Sequence, residues 1–311
     1  MLEPHLARLA MRESRPHAVR DGRLRRRFRS AVGIALPAVL ALAALAASDA
    51  IFAQKPWREY PAIERRWTPS VQLPDDYLAP SEFVVGRLMF PQARWGYALG
   101  VGGGDWRRGG TAWTVDYPAG DRHFALLLAR LTTVNVRAVE QPVDLDDELD
   151  VFYWPFLISG LVGAWDLTDA QAARLREYLL RGGFLLCDSF YGTVEWEGFL
   201  AGIRRVFPDR PIVDLPDEHP IFHVVYDLTE RPQVPTWQHL DYYGRGGYRN
   251  DGAVPYWRAI LDDDGRVMVM IAYNNDIADG WQRADEPRYP QEAANLAIRL
   301  GVNFAVYALT H

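Results

Sequence analysis

The stretch "LTDAQAARLREYLLRGGFLLCDSF" (Leu167–Phe190) indicates the fold class, because a helix with clear ends leads directly into an apolar run. Thr168 stands where a helix N-cap is expected, apolar residues recur at helical spacing, and Gly182-Gly183 end the helix. The run Phe184–Phe190 begins with four consecutive apolar residues, which is typical of a strand buried on both faces. Such a strand predicts a parallel sheet covered by helices on both sides.

Strands and helices alternate on both sides of this stretch. The patterns before it predict strands at Phe83–Phe90 and Val134–Glu140, a helix at Gly120–Thr133, and an apolar strand that ends near Trp154. The patterns after it predict a helix at Val194–Phe207, a β-hairpin within Tyr256–Asp276 that turns at Asp264-Gly265, and a closing helix from about Pro290 to Leu309. We therefore expect one α/β domain over residues 81–311. Its sheet is expected to be mostly parallel, with an antiparallel hairpin extension.

The N-terminus has the composition of an export signal. Residues 1–30 contain nine arginines and three acidic residues, which gives this segment a net charge of +6. Because the whole chain has a net charge of −6, the other 281 residues carry −12. An uncharged apolar run of seventeen residues, Ala31–Ala47, follows. Residues 1–53 are therefore predicted to be an export signal, which is either cleaved or kept as a single inner-membrane anchor through residues 31–53. The rest of the chain is expected to be periplasmic or otherwise outside the cytoplasm. Residues 54–80 are rich in proline and are expected to be an extended segment that leads into the domain. The negative charge of the chain after residue 30 argues against nucleic acid as a partner.

Several short motifs occur in an order that resembles one bacterial family. They are "DYP" (Asp116–Pro118), "LRGGFLLCDSF" (Leu180–Phe190), "EHPIFHVVYDL" (Glu218–Leu228), "YNNDIADGW" (Tyr273–Trp281) and "GVNFAVY" (Gly301–Tyr307). The chain is similar, from about Phe83 to Thr310, to the domain-of-unknown-function family 4159. The resemblance implies a flavodoxin-like three-layer sandwich related to class I glutamine amidotransferases, and an envelope context. It implies no activity.

The single cysteine does not fit amidotransferase chemistry. Enzymes of that fold hold a nucleophilic cysteine on a Gly-x-Cys-x-Gly turn, whereas Cys187 stands inside "FLLCDSF" without a flanking glycine. We interpret Cys187 as a small buried hydrophobic residue, so glutaminase activity is not expected.

Polar residues at the expected strand ends are the candidate site. In open α/β sheets, ligands bind beyond the carboxyl ends of the strands. One strand ends at Asp188 and the hairpin ends at Asp276, so an acidic and aromatic cleft is expected there. Further ligand-binding candidates are Trp113, Asp116, Tyr117, Ser189, Asn274, Asn275 and Trp281. The alternative is structural, with Asp188 capping the next helix and Tyr117 packing in the core.

Metal motifs are incomplete in this sequence. His219 and His223 are four residues apart, as in some metal-binding helices, but Pro220 disfavours a helix here and the following "VVYDL" has a strand pattern. No third His or Cys has matching spacing. His219 is therefore expected to cap a helix or a turn. "YNNDIADGW" has Ala278 where a calcium loop needs an oxygen ligand and Gly280 one place late. An EF-type loop is thereby excluded, an irregular oxygen site stays open, and no cofactor is expected.

Three functions fit these patterns. The favoured one is an exported, non-catalytic binding or assembly module for an envelope protein, peptide or glycan. The second is a periplasmic hydrolase of an envelope glycan or peptide, with Asp188 and either Asp276 or His219 as its acid and base. The third is a calcium- or sugar-binding structural domain. The hydrolase requires Asp188, His219, Asn274 and Asp276 to surround one common space.

Overall fold

The computed structural model describes residues 55–64, 72–94, 103–241 and 246–311, of which all belong to one compact unit, Lys55–His311. The expected export signal at residues 1–53 lies outside these ranges. The strands are β1 Val85–Met89, β2 Gln141–Asp144, β3 Phe156–Ser159, β4 Phe184–Cys187, β5 Val213–Asp214, β6 Tyr256–Leu261 and β7 Val267–Tyr273. The α-helices are α1 Ala119–Leu131, α2 Asp169–Leu180, α3 Gly192–Val206, α4 Trp237–Asp241, α5 Ile277–Gln282 and α6 Gln291–Thr310.

The seven strands form one sheet in the order β2-β1-β3-β4-β7-β6-β5. The first five strands in this order are parallel, and β6 and β5 continue the sheet in antiparallel pairing. The parallel part has the strand order of a flavodoxin-like sheet. The fold is therefore the expected α/β sandwich with an antiparallel extension.

Helices cover both faces of the sheet, because its central strands are apolar on both sides. In β4, Leu185 belongs to the core beneath α2 and α3, whereas Leu186 belongs to the core beneath α1, α5 and α6. The helix of the opening stretch begins as expected, with a capping box in which Thr168 and Gln171 bond each other's backbone N–H groups. Among the described residues, one helix, α6, is long and apolar enough to cross a membrane, and 56% of its apolar window is buried against the domain.

Two expected strands are shifted along the chain, and a third is not formed. The edge strand β2 lies at Gln141–Asp144 rather than Val134–Glu140, where Val136 makes only an isolated bridge to Phe83. Residues Asp150–Tyr153 form a 3-10 turn that Asp150 braces by accepting a hydrogen bond from Trp154 Nε1 at 3.1 Å. Trp154 consequently precedes β3 instead of ending a strand. Residues 224–228, the "VVYDL" segment, form no strand.

Candidate functional site

A cavity of about 240 Å³ lies at the carboxyl edge of the parallel strands. The segments after β1, β3, β4 and β7 each contribute to its wall, so it occupies the place where open α/β sheets bind ligands. Chain from residues 55–64 and from the region between β5 and β6 completes the wall. The lining residues are Ile63, Glu64, Val115, Asp116, Leu161, Ser189, Thr236, Gln238, His239, Arg249, Asp276, Asp279 and Arg283.

Three buried carboxylates meet in this cavity. Asp116, Asp276 and Asp279 each offer an oxygen within 4.8 Å of the other two. Their exposed fractions are only 2%, 2% and 4%, so bulk water screens their charges weakly. We call these three residues the acidic cluster. Glu64 adds a fourth carboxylate to the cavity wall.

Two members of the acidic cluster are held by the start of α5. Asp276 is the N-cap of this helix and accepts a hydrogen bond from the backbone N–H of Asp279 at 3.3 Å. It also accepts a hydrogen bond from the Ser189 hydroxyl at 3.0 Å, which ties β4 to β7. Asp279 accepts hydrogen bonds from the Trp237 N–H at 2.6 Å and the Thr236 hydroxyl at 3.3 Å. Both side chains are thus fixed by neighbours before any ligand arrives.

Asp116 enters the cavity in a different way. It lies on the loop that leads into α1, with a positive φ of 59°. Its Oδ2 atom is buried and has no hydrogen-bond partner within the described part of the chain. A buried polar oxygen without a partner is destabilising, so its presence calls for a functional explanation.

Backbone conformations that non-glycine residues rarely adopt concentrate here. Across the described ranges, five non-glycine residues have positive φ, and Asp116, Leu161 and Ser189 among them line the cavity. A fourth, Asn274, lies two residues before Asp276. Such strain persists where surrounding structure holds it in place, as at binding sites.

The carboxylates of the cavity raise one another's pKa. Burial, together with repulsion from Asp276, Asp279 and Glu64, raises the pKa of Asp116 well above that of an ordinary aspartate. Burial, with repulsion from Asp279 and Asp188, does the same to the pKa of Asp276. Burial also raises the pKa of Asp279, although the nearby Arg283 opposes this rise. Ionising the whole cluster is therefore unfavourable in the absence of a cation, because its surroundings compensate only part of the negative charge.

Two arginines line the cavity, and neither forms an ion pair with Asp116 or Asp276 within the described part of the chain. Arg249 binds Glu195 through two nitrogens, at 3.1 and 3.0 Å. The Nη2 atom of Arg283 lies 3.4 Å from Oε2 of Glu64, and its Nε atom lies 3.6 Å from Oδ1 of Asp279. Among the described residues, no Lys or Arg nitrogen lies within 4.0 Å of an Asp116 or Asp276 oxygen. Arg87 lowers the pKa of Asp116 and Arg249 lowers that of Asp276, but neither forms an ion pair with them, so we call these two carboxylates the uncompensated pair.

Of the three candidate acid and base residues, Asp276 lines the cavity, whereas Asp188 and His219 do not. Both oxygens of Asp188 accept hydrogen bonds from the first turn of α5, from Ile277 N–H at 3.0 Å and Ala278 N–H at 2.8 Å. Burial raises the pKa of Asp188 to about 6 against these bonds. His219 caps a 3-10 turn and packs on Tyr307, whose hydroxyl reaches the amino end of β7. His219 therefore lies near the amino end of β7, whereas the cavity lies at the carboxyl ends of the parallel strands.

The amide candidates brace the loops behind the cavity. Asn274 accepts a hydrogen bond from Gly192 N–H at 2.8 Å and donates one to the Val254 carbonyl at 2.6 Å. Asn275 accepts one from Val234 N–H at 3.0 Å. Neither amide lines the cavity, so of the residues at these two strand ends only Ser189 and Asp276 do.

The aromatic candidates lie in the core. Trp113 and Tyr117 are fully buried beside Tyr60, and the Tyr117 hydroxyl accepts a hydrogen bond from Tyr60 N–H at 3.0 Å. Trp281 stacks on Phe124 with ring centroids 4.1 Å apart. The described wall of the cavity is acidic, and none of these three aromatic residues belongs to it.

Sequence reasoning missed part of the wall. Glu64, Thr236, Arg249 and Arg283 come from segments that carry no motif, and only the folded chain brings them together. Asp279 was visible as the third residue after Asp276, a spacing that places both on one side of a helix's first turn. That spacing was the one local signal available.

Comparison with known proteins agrees with the motifs. The model of the family described as "Domain of unknown function (DUF4159)" matches residues 104–309. The matched part includes the whole acidic cluster, whereas Glu64 precedes it. No curated protein that was compared with the chain matches it.

Proposed function

Because the chain belongs to the DUF4159 family, whose description gives no activity, we propose a function from the cavity itself. The protein is an exported cell-envelope binding module that takes up a small positively charged ligand without converting it chemically. The ligand enters at the carboxyl edge of the sheet and meets the acidic cluster. The observation that carries this proposal is the uncompensated pair, Asp116 and Asp276, two buried carboxylates that face a cavity.

The placement of the acid and base candidates favours binding over hydrolysis. A general acid or base must come within hydrogen-bond reach of the reacting group. Asp188 gives both oxygens to backbone N–H groups, and His219 lies at the other edge of the sheet. Cys187 is fully buried, and burial raises the pKa of its thiol well above the usual range, so it is no nucleophile either.

The size of the cavity favours a small ligand or the charged end of a larger one. Pockets for drug-sized molecules have volumes of about 300–1,000 Å³, above the volume found here. A metal ion with its waters, an ammonium group or a guanidinium group would fit. Envelope peptides and amino sugars carry such groups, so they are ligands that this proposal includes.

Export is supported by the arginine-rich start and the apolar run Ala31–Ala47. Alkaline phosphatase fused after residue 311 folds into active enzyme only outside the cytoplasm, so the fusion is expected to be active. The double substitution Leu42→Arg and Leu45→Arg interrupts the apolar run and should abolish that activity. Equal activity in both fusions would contradict export through this segment. Fractionation of the unfused chain then separates a cleaved periplasmic form from one anchored in the inner membrane.

Binding is tested by calorimetry on the full-length protein in mild detergent. Ligands are CaCl₂, MgCl₂, methylammonium, guanidinium and putrescine, each added to protein first treated with EDTA. We expect at least one of these cations to bind the wild type and to bind Asp116→Asn more weakly. The matched control is Asp263→Asn, an aspartate whose side chain is 89% exposed at the hairpin turn. If no cation distinguishes Asp116→Asn from the control, the proposed function is wrong.

A further inference from the structure

The ligand atoms that the acidic cluster offers are all carboxylate oxygens. No nitrogen or sulfur ligand belongs to the group of Asp116, Asp276 and Asp279. Carboxylate oxygens suit hard cations such as Ca²⁺, Mg²⁺ and Mn²⁺, whereas zinc and copper sites in proteins usually include His or Cys. The chemistry of the cluster therefore points to a hard divalent ion.

One residue of the cavity wall has an unpartnered carboxylate oxygen. Asp116 is 98% buried, lines the cavity, and has no hydrogen-bond partner for Oδ2 in the described part of the chain. Asp276 and Asp279 accept hydrogen bonds from protein groups, but each carboxylate has about four lone-pair sites and retains capacity for a ligand. Asp116 is thus the member of the cluster that keeps an oxygen without a hydrogen-bond partner.

The charges favour a divalent ion over an organic cation. Asp116 and Asp276, the uncompensated pair, carry two negative charges when ionised, and Asp279 is already close to Arg283. One divalent cation neutralises that pair, whereas one ammonium or guanidinium group leaves half of it. In a site so little exposed to water, the remaining charge would stay weakly screened.

The three carboxylates are close enough together to bind one Ca²⁺ ion. Calcium–oxygen distances are about 2.3–2.6 Å, so oxygens on opposite sides of one ion are about 4.6–5.2 Å apart. One oxygen from each of the three carboxylates lies within 4.8 Å of the other two, a separation that a single Ca²⁺ ion can span. Mg²⁺ requires shorter distances of about 2.0–2.1 Å and near-ideal octahedral geometry, which carboxylates already fixed by protein hydrogen bonds meet less readily than the flexible coordination of Ca²⁺.

We infer that the cavity holds one Ca²⁺ ion, bound by Asp116, Asp276 and Asp279 with water completing its coordination. The inference rests on the proposed function, because it identifies the cation that the acidic cavity takes. The cavity of about 240 Å³ has room for several waters beside the ion, since a water occupies about 30 Å³ in the liquid. The ion would also bridge the segments after β1 and β7, to which Asp116 and the other two ligands belong.

Calcium titration of the EDTA-treated, full-length protein tests this inference. Isothermal calorimetry is expected to give one Ca²⁺ per chain in the wild type and in the control Asp263→Asn. Asp116→Asn and Asp279→Asn should each weaken Ca²⁺ binding by at least about tenfold, the lower range of the effect of changes around metal sites. Mg²⁺ should bind the wild type more weakly than Ca²⁺. Circular dichroism of each variant confirms that a loss of binding is not a loss of fold.

The possible outcomes separate this inference from the proposed function. If Ca²⁺ does not bind but an organic cation binds in a manner that depends on Asp116, the calcium inference is overturned and the binding module stands. If Ca²⁺ binds Asp116→Asn and the control equally, the ion lies elsewhere and the inference is again overturned. If no cation of either class binds, both proposals fall.

Discussion

Replacing Asp116 with asparagine is expected to stabilise the cation-free protein, because it removes a buried charge that has no ion-pair partner among the described residues and is only partly offset by Arg87. The Asp116 carboxylate is 2% exposed and lies within 4.8 Å of two other carboxylates. At that separation and an effective dielectric constant near 20, each pair of ionised groups repels by about 3 kcal/mol. Because its pKa is raised, Asp116 keeps its proton to a higher pH than an ordinary aspartate, and the retained proton relieves this repulsion. We therefore expect a gain of about 1–2 kcal/mol at pH 7.

The direction of the pH dependence follows from the raised pKa. Below the ordinary aspartate pKa of about 4, the group is protonated in both folded and unfolded chains, so the substitution changes little. As the pH rises, the unfolded chain releases its proton first, and the folded wild type loses stability relative to the unfolded state until the pH passes the folded pKa. The advantage of Asp116→Asn should therefore be small near pH 4 and grow toward pH 7.

Urea and thermal unfolding in EDTA measure this effect. For a domain of this size, the expected gain corresponds to a Tm rise of roughly 2–8 °C, with no change in the denaturant slope. Asp263→Asn should unfold at the wild-type midpoint. The reasoning is refuted if Asp116→Asn lowers the Tm at pH 7, or if its advantage is the same at pH 4 and pH 7. The first result would mean that the carboxylate makes a bond the fold needs, and the second that its charge is not the cause of the gain.

Three further predictions concern the scaffold around the cavity. Cys187, which is fully buried with its pKa raised by burial, should resist Ellman's reagent in the native protein and react only on addition of denaturant. Glu195→Gln should lower the free energy of unfolding by about 3 kcal/mol in urea titrations, because Arg249 loses its buried anionic partner. Gly202→Ala should lower it by about 1–3 kcal/mol, because the added Cβ would lie 2.2 Å from Trp165 Nε1; a wild-type midpoint would contradict that packing.

The fold could be predicted where local signals and burial agree. The helix α2 and strand β4 follow from a capping box, a glycine pair and an apolar run, all within one stretch of chain. Strand β2 was misplaced because its four residues include Pro142, which usually argues against a strand. Proline is tolerated on an edge strand, and β2 is the edge of this sheet. Whether a strand lies at an edge depends on the assembled sheet, which local pattern does not encode.

The site could be predicted only in part, for a related reason. The rule that ligands bind at strand ends led to Ser189 and Asp276, which line the cavity. Glu64 and Arg249 reach it from segments without periodicity, through contacts that exist only in the folded chain. Aromatic composition was misleading, because a tryptophan in a sequence is equally suited to a core or a cleft. Trp281 lies in the core because Phe124 is available to stack on it.

The backbone at Asp116 makes the case that its charge serves a ligand. At a φ of 59°, both aspartate and asparagine are tolerated, since their short polar side chains adapt to the left-handed region. The loop into α1 therefore does not require a carboxylate, and an amide would relieve the repulsion with Asp276 and Asp279. A fold selected for stability alone has no use for a third buried aspartate here. The charge becomes favourable once a divalent cation joins the cluster, so Asp116→Asn should be the more stable protein without Ca²⁺ and the less stable one with saturating Ca²⁺.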